Sequence, residues 1–313
     1  MARGPTYFIC GALRSGTTLL RLMIDGHPSL SNPGEMDFLT DYPSDPSSPD
    51  AAAAYRATLR RSRIFATHAL DVDETLDCVG LARSFVSQLR ARAEGSTLTI
   101  NAHRNFDRLL DIAPDARFVH LMRDPRDVAR SSIAMGWAGS VYFAVDHWIA
   151  SEKSMERLRG MAEANRICAL RNEDLVRRPR DELARVCAFM DVDYDPAMLD
   201  YPQRSTYAAP DPSLVEQWRN TATVRELGLI EAKVGPLLTA RGYLPSGASP
   251  VRPRGLGLWA LTWRNRFLRI RAQSRRYGLG LVALEALARR ARVGRLQDYA
   301  ARRINAKAVL YLK

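Results

Sequence analysis

Tyr7-Phe-Ile-Cys10 is a short apolar run that leads directly into Gly11-Ala-Leu-Arg14-Ser15-Gly16-Thr17-Thr18, and then into a stretch carrying Leu19, Leu20, Leu22, Met23 and Ile24. A buried strand, a glycine-bearing turn and a helix start, in that order, constrain the fold more than any other feature of the chain. Such a turn aims backbone N–H groups at one point, and the helix dipole favours an anion there. In a chain with 19 glycines the Gly-x₄-Gly spacing arises about once by chance, so the strand–loop–helix context carries the reading.

Other runs of strand length lie at 98–100, 117–122 and 167–170, each flanked by turn or cap signals. Helical patterns occupy 17–26, 51–61, 79–93, 125–135, 141–161, 180–190 and 224–240. Strands separated by helices imply crossover connections. The expected fold is α/β, a P-loop-like parallel sheet flanked by helices, with ligands bound outside the strands' carboxyl ends. Residues 41–50 and 201–212, rich in Pro, Ser and Asp, are expected to be exposed loops. A Pro-, Gly- and Ser-containing stretch at 245–253 ends this region, so the expected organisation is an α/β domain over 1–245, a linker over 246–255 and a basic helical tail over 256–313.

The formal charge of +12 raises the question of nucleic acid, but its distribution answers it. Residues 251–313 hold 16 Lys and Arg against Glu285 and Asp298, which exceeds the charge of the whole chain and leaves the main domain slightly acidic. Nucleic acid is therefore not expected as a partner. Cys10, Cys78, Cys168 and Cys187 are far apart and form no CxxC, so buried free thiols are expected, and no metal site. The first residues run too quickly into the strand for a signal peptide, and no later run reaches membrane-spanning length, which reads as a cytoplasmic protein.

The loop departs from that of nucleotide triphosphatases in one informative way. Position 17 is Thr where that loop places Lys, the group that reaches the β- and γ-phosphates, and Arg14 sits inside the loop instead. A transferred sulfuryl group carries less negative charge than a terminal phosphoryl, so one cation with N–H and hydroxyl donors suits it without Mg²⁺. Arg14-Ser-Gly-Thr-Thr-Leu-Leu-Arg21, followed by Asp25-Gly-His27-Pro28, resembles the 5′-phosphosulfate loop and next helix of the sulfotransferases, closest to the tyrosylprotein branch. Asn101-Ala-His103-Arg104, residues 118–132 and Glu173-Asp174-Leu175-Val176 resemble later motifs of that branch. The resemblance runs from residue 6 to about 190 and fades towards 244; the tail has no counterpart.

The resemblance implies 3′-phosphoadenosine 5′-phosphosulfate as donor, adenosine 3′,5′-bisphosphate as product, and Arg14, Ser15, Gly16, Thr17 and Thr18 around the 5′-phosphosulfate. Asp124-Pro125-Arg126-Asp127 also reads as a helix start from its chemistry, with Asp124 as N-cap and Pro125 in the first position, which fixes Arg123 at a strand's end. Ser131 stands two turns further on, about 10 Å along nearly the same face. By resemblance Arg123 and Ser131 bind the 3′-phosphate. Arg126 and Arg130 are expected to be solvated.

In-line displacement at sulfur needs a base at the acceptor and positive charge at the departing phosphate. Glu35 is the expected base: it follows the loop's helix and stands 21 positions after Arg14, the separation kept in the tyrosylprotein enzymes. His103 is the rival. The cytosolic branch places its base in this segment, whereas the tyrosylprotein branch has a supporting Lys there. Arg14, with Arg104 as a further candidate, would stabilise the departing phosphate. Trp218-Arg219-Asn220 faintly resembles the nucleotide-covering segment of the cytosolic branch, which adds Arg219. Asn172 and Asp37 replace a Tyr and an Arg of the tyrosylprotein enzymes, so the expected acceptor is a hydroxyl of a small molecule, lipid or glycan in preference to protein tyrosine.

Two other functions compete: a P-loop nucleotide kinase or triphosphatase, against which Thr17 counts, and a membrane-surface adaptor acting through the tail, which would leave the phosphate loop unexplained. From Leu256 onward, Leu258, Trp259, Leu261, Trp263, Phe267 and Ile270 alternate with Arg264, Arg266, Arg269 and Arg271. A basic amphipathic helix of this kind suits an anionic membrane surface, and the same pattern suits packing on the main domain or in a homo-oligomer.

Overall fold

A computed structural model describes residues 5–291 and 294–308. These pack as two compact units, one from residues up to Asp124 with His147–Arg219, the other from Pro125–Asp146 with the residues from Asn220 onward. The units cut across the linear division at residue 245 read from the sequence.

The first unit is built on a five-stranded sheet in the order β2-β3-β1-β4-β5, every pairing parallel. Here β1 is Tyr7–Cys10, β2 Leu30–Ser31, β3 Thr97–Ala102, β4 Arg117–Met122 and β5 Ile167–Arg171. In register, Cys10 stands beside Ala102 of β3 and His120 of β4. The loops leaving β1, β3 and β4 therefore emerge side by side at one end of the sheet. Both faces are covered, as a parallel sheet requires. Phe8 and Cys10 enter one apolar cluster with Phe38, Tyr55, Phe85 and Phe118, while Tyr7 and Ile9 enter another with Leu20, Met23, Val119 and Leu170. Each such side chain contributes roughly 1.5–3 kcal/mol by burial.

Two differences from the sequence reading have local causes. The edge strand β2 was not expected, since two residues followed by Asn32-Pro33 carry no alternating signal. The single helix expected over 224–240 breaks at Gly235, which has φ +60°, into Val224–Val234 and Leu237–Ala240. The four cysteines are free and buried. Among the described residues no helix is long and apolar enough to cross a membrane.

In the second unit Arg126 corrects an expectation. It is not solvated but 2% exposed, donating to Glu231 Oε1 at 2.8 Å and to the Leu244 carbonyl at 3.0 Å. The carboxylate that makes burial tolerable lies far along the chain, out of reach of any local pattern. Arg130 is half-buried and faces Glu226 at 3.6 Å. The first tail helix, Gly255–Tyr277, packs within this unit: Asn265 Oδ1 accepts from the Gly139 N–H at 2.7 Å, and Arg276 donates to the Met135 carbonyl at 3.0 Å. The fit needs glycine at 139, because a Cβ there would lie 2.6 Å from that of Leu268 and 2.8 Å from the Asn265 carbonyl oxygen.

Candidate active site

The loop after β1 carries two residues in the left-handed region, Arg14 at φ +72° and Gly16 at φ +92°. Gly16 has no alternative, since a Cβ would fall 2.1 Å from Asn172 Oδ1. Arg14 holds its conformation at a cost of about 1–3 kcal/mol, the kind of strain that collects at ligand sites. The helix that follows, α1 (Thr17–Ile24), has no side-chain hydrogen bond capping its first turn. Ser15 is buried, and its hydroxyl has no hydrogen-bond partner among the described residues. A buried orphan hydroxyl requires a cause. In a loop that points N–H groups at one place, an oxyanion ligand supplies it, and these residues fit the phosphosulfate group. Thr18 is half-buried in the first turn of α1.

Arg123, just beyond β4, donates to the Arg14 carbonyl at 3.0 Å, and its own carbonyl accepts from Trp148 Nε1 at 2.9 Å. Two guanidinium groups thus converge on one loop. Burial lowers the Arg14 pKa and the Arg123 charge adds to this, against Tyr207 and Glu35. Asp124 N–H donates to Glu173 Oε1 at 2.9 Å, which ties the end of β4 to the Glu-Asp-Leu motif after β5.

Glu35 is not in a free turn. It forms a parallel bridge with Asn101, so the chain after β2 continues alongside β3: the Asn101 N–H donates to the Gly34 carbonyl at 3.0 Å, and the Asn101 carbonyl accepts from the Met36 N–H at 2.9 Å. The Asn101 side chain donates to the Thr17 carbonyl at 3.2 Å and accepts from Asn32 at 3.1 Å. One buried amide therefore joins the expected base to the start of α1. The Glu35 side chain is 38% exposed, open to an incoming acceptor, and Oε1 stands 3.9 Å from His103 Nε2.

His103 is 1% exposed in its side chain and held at both ring nitrogens, Nδ1 by Asp37 Oδ2 at 3.0 Å and Nε2 by Thr17 Oγ1 at 3.1 Å. Its backbone N–H also donates to Asp37 Oδ1 at 2.7 Å. Burial disfavours the imidazolium, but the hydrogen bond and charge of Asp37, with the charge of Glu35, outweigh it and raise the pKa. The reciprocal holds at Asp37: burial pushes up, while His103 and Arg104 pull further down, and the carboxyl ends below its usual range. Arg104 donates to Asp37 at 3.2 Å and to Asp41 Oδ1 at 2.8 Å, so its charge is engaged by carboxylates.

The structure thus brings Arg14, Ser15, Gly16, Thr17, Glu35, His103 and Arg123 together at the carboxyl ends of β1, β3 and β4. Ser131 lies half-buried on the helix Pro125–Ala134 of the second unit. Arg219 is turned onto its neighbours, 3.1 Å from Glu216 and 4.6 Å over the Trp218 ring. Sequence reasoning missed the work of Asp37, Asn101 and Asn32. In the sequence Asp37 stands out only as a missing arginine, although a carboxylate two residues past Glu35 and a histidine in the next motif are the signal that pairs them.

The profile of the sulfotransferase family matches residues 5–196. Mouse carbohydrate sulfotransferase 3 is 28% identical over 178 residues, 46% of this chain and 37% of that protein, and the human form is 26% identical over 179 residues with the same coverage. The chain therefore spans little more than a third of the length of these curated relatives. Among solved structures, the sulfotransferase domain of the Synechococcus PCC 7002 olefin synthase superposes with a TM-score of 0.53 at 23% identity, covering 73% of this chain and 94% of that one. The sulfotransferase domain from the curacin biosynthetic pathway gives 0.55 at 18%, covering 77% and 98%. These two likenesses are of fold. With the family profile matched across most of the first unit's loop and strand motifs, the chain belongs to the sulfotransferase family.

Proposed function

We propose that the protein transfers a sulfuryl group from 3′-phosphoadenosine 5′-phosphosulfate to a carbohydrate hydroxyl and releases adenosine 3′,5′-bisphosphate. The observation that carries the reading is the orphan Ser15 hydroxyl in an anion-directed loop, with the half-exposed Glu35 carboxylate held beside it through Asn101. The name of the curated relatives supports the carbohydrate.

Glu35 takes the acceptor's proton as the acceptor oxygen bonds to sulfur; the bond from sulfur to the 5′-phosphate oxygen breaks, and that oxygen keeps the electron pair. Arg14, the loop N–H groups and Ser15 offset the charge arriving there. His103, its pKa raised by the Asp37 carboxylate, faces Glu35 and Thr17 and steadies the reacting oxygens. Arg123 is assigned to the 3′-phosphate. A second assignment, His103 as base, has one observation in its favour: a carboxylate orients its ring, the usual arrangement around a general base.

The test is incubation with ³⁵S-labelled donor and a panel of oligosaccharides, a sterol and a tyrosine peptide. Label in an oligosaccharide is the expected result. Label confined to the others rejects the carbohydrate. Calorimetry that finds ATP–Mg²⁺ binding and no bisphosphate binding rejects the donor.

A further inference from the structure

The helix Gly255–Tyr277 has two apolar faces, and among the described residues only one is covered. At about 100° per residue, Asn265, Leu268 and Ala272 share the side that meets residues 136–139 within the second unit. On the opposite side Leu256, Trp259, Trp263, Phe267 and Ile270 recur at intervals of three and four. Leu256 is 85% exposed, Trp259 62% and Phe267 65%, with Trp263 and Ile270 also exposed. The stripe runs about 21 Å. Large apolar side chains massed on one exposed face mark a binding surface, which singly scattered ones do not.

The flanks carry Arg264 and Arg271 on one side and Arg266 and Arg269 on the other, all exposed, and the helix contains no acidic residue. Trp259 and Trp263 meet edge to face at 6.1 Å, and Arg266 leans over the Trp263 ring at 5.6 Å. This charge pattern selects the occupant. A second copy laid face to face would set guanidinium against guanidinium with no carboxylate to receive them. A nucleic acid would engage the arginines and leave the aromatic centre in water. An anionic lipid surface satisfies both, with headgroups meeting the flanks and the acyl boundary taking the Trp and Phe rings.

We propose that this helix docks the protein flat on an anionic membrane surface, with Leu256, Trp259, Trp263, Phe267 and Ile270 in the interface and the four arginines at headgroup level. The inference stands apart from the sulfotransfer reading and is tested without activity. The full chain is mixed with vesicles of phosphatidylcholine containing 30% phosphatidylserine, or of phosphatidylcholine alone, and sedimented. Binding to the anionic vesicles is expected, with a blue shift of Trp fluorescence and weakening by salt. Neutralising Arg264, Arg266, Arg269 and Arg271 to Gln is expected to lower partitioning by about a hundredfold or more. Changing Trp259, Trp263 and Phe267 to Ala, with an unchanged circular dichroism melt as the control of folding, is expected to abolish it. Three results overturn the proposal: no binding to anionic vesicles, equal sedimentation of the Trp/Phe variant, or a dimer in ultracentrifugation that this variant dissolves.

Discussion

The loop end of the parallel sheet and the first tail helix solve opposite problems. Around β1 and β3 the polar groups are inside: Asn32, Asp37, Asn101 and His103 are buried and paired. Along Gly255–Tyr277 the apolar groups are outside and the cations flank them. What is buried reveals the work of the first region, and what is left uncovered reveals that of the second. A substitution in the first region should change chemistry or stability sharply, and one on the exposed tail face should change only where the protein resides.

The largest expected effect is at Glu35. Glu35→Gln should lower turnover by about 10² to 10⁴ while bisphosphate affinity, read by calorimetry, stays the same. His103→Asn should do less. If His103→Asn abolishes turnover and Glu35→Gln is nearly silent, the base is the histidine.

Asp37→Asn comes next, since removing one partner of a buried charged pair costs about 3–5 kcal/mol. Its pH dependence has a defined sign. The Asp37 contribution is present above its ordinary pKa of 3.8 and is lost as pH falls through the lowered folded value. The His103 contribution is present below its ordinary 6.5 and is lost as pH rises through the raised folded value. Urea unfolding should show the gap between wild type and variant widest between those ordinary values and narrower on either side. A gap independent of pH would mean that the pair is held by packing alone.

Arg123→Ala should weaken bisphosphate binding about tenfold or more, the loss of one charge-assisted hydrogen bond, measured by calorimetry. The smallest effect is expected at the tail's covered face. Asn265→Ala leaves the Gly139 N–H without its acceptor and should cost about 1–2 kcal/mol in denaturant unfolding, with turnover intact. A silent Asn265→Ala would blunt the contrast between the covered and uncovered faces of that helix.

Much of this was legible in the chain because the signals are local. β1 and β4 lie where the apolar runs place them, and the phosphate loop is a strand, a turn and a helix start within 18 residues. The stripe of the tail is a periodicity, also local. The partners of charges were not legible. Asp37 meets His103 across 66 positions and Arg126 meets Glu231 across 105, and no spacing rule carries that far. The bridge of Glu35 to Asn101 was hidden for another reason: β2 is two residues long, too short to show alternation.

Asn101 bears on how such a site is exchanged between proteins. Its backbone holds the segment around Glu35, and its amide grips both the first residue of α1 and Asn32. The anion loop, the Glu35 segment and the histidine segment are in this respect one inheritable block cut from three places in the chain. A chimera that imports residues 11–18 alone would carry the anion loop without its alignment to Glu35. One that also imports 32–37 and 101–104 would move the register of the whole reaction centre as a unit.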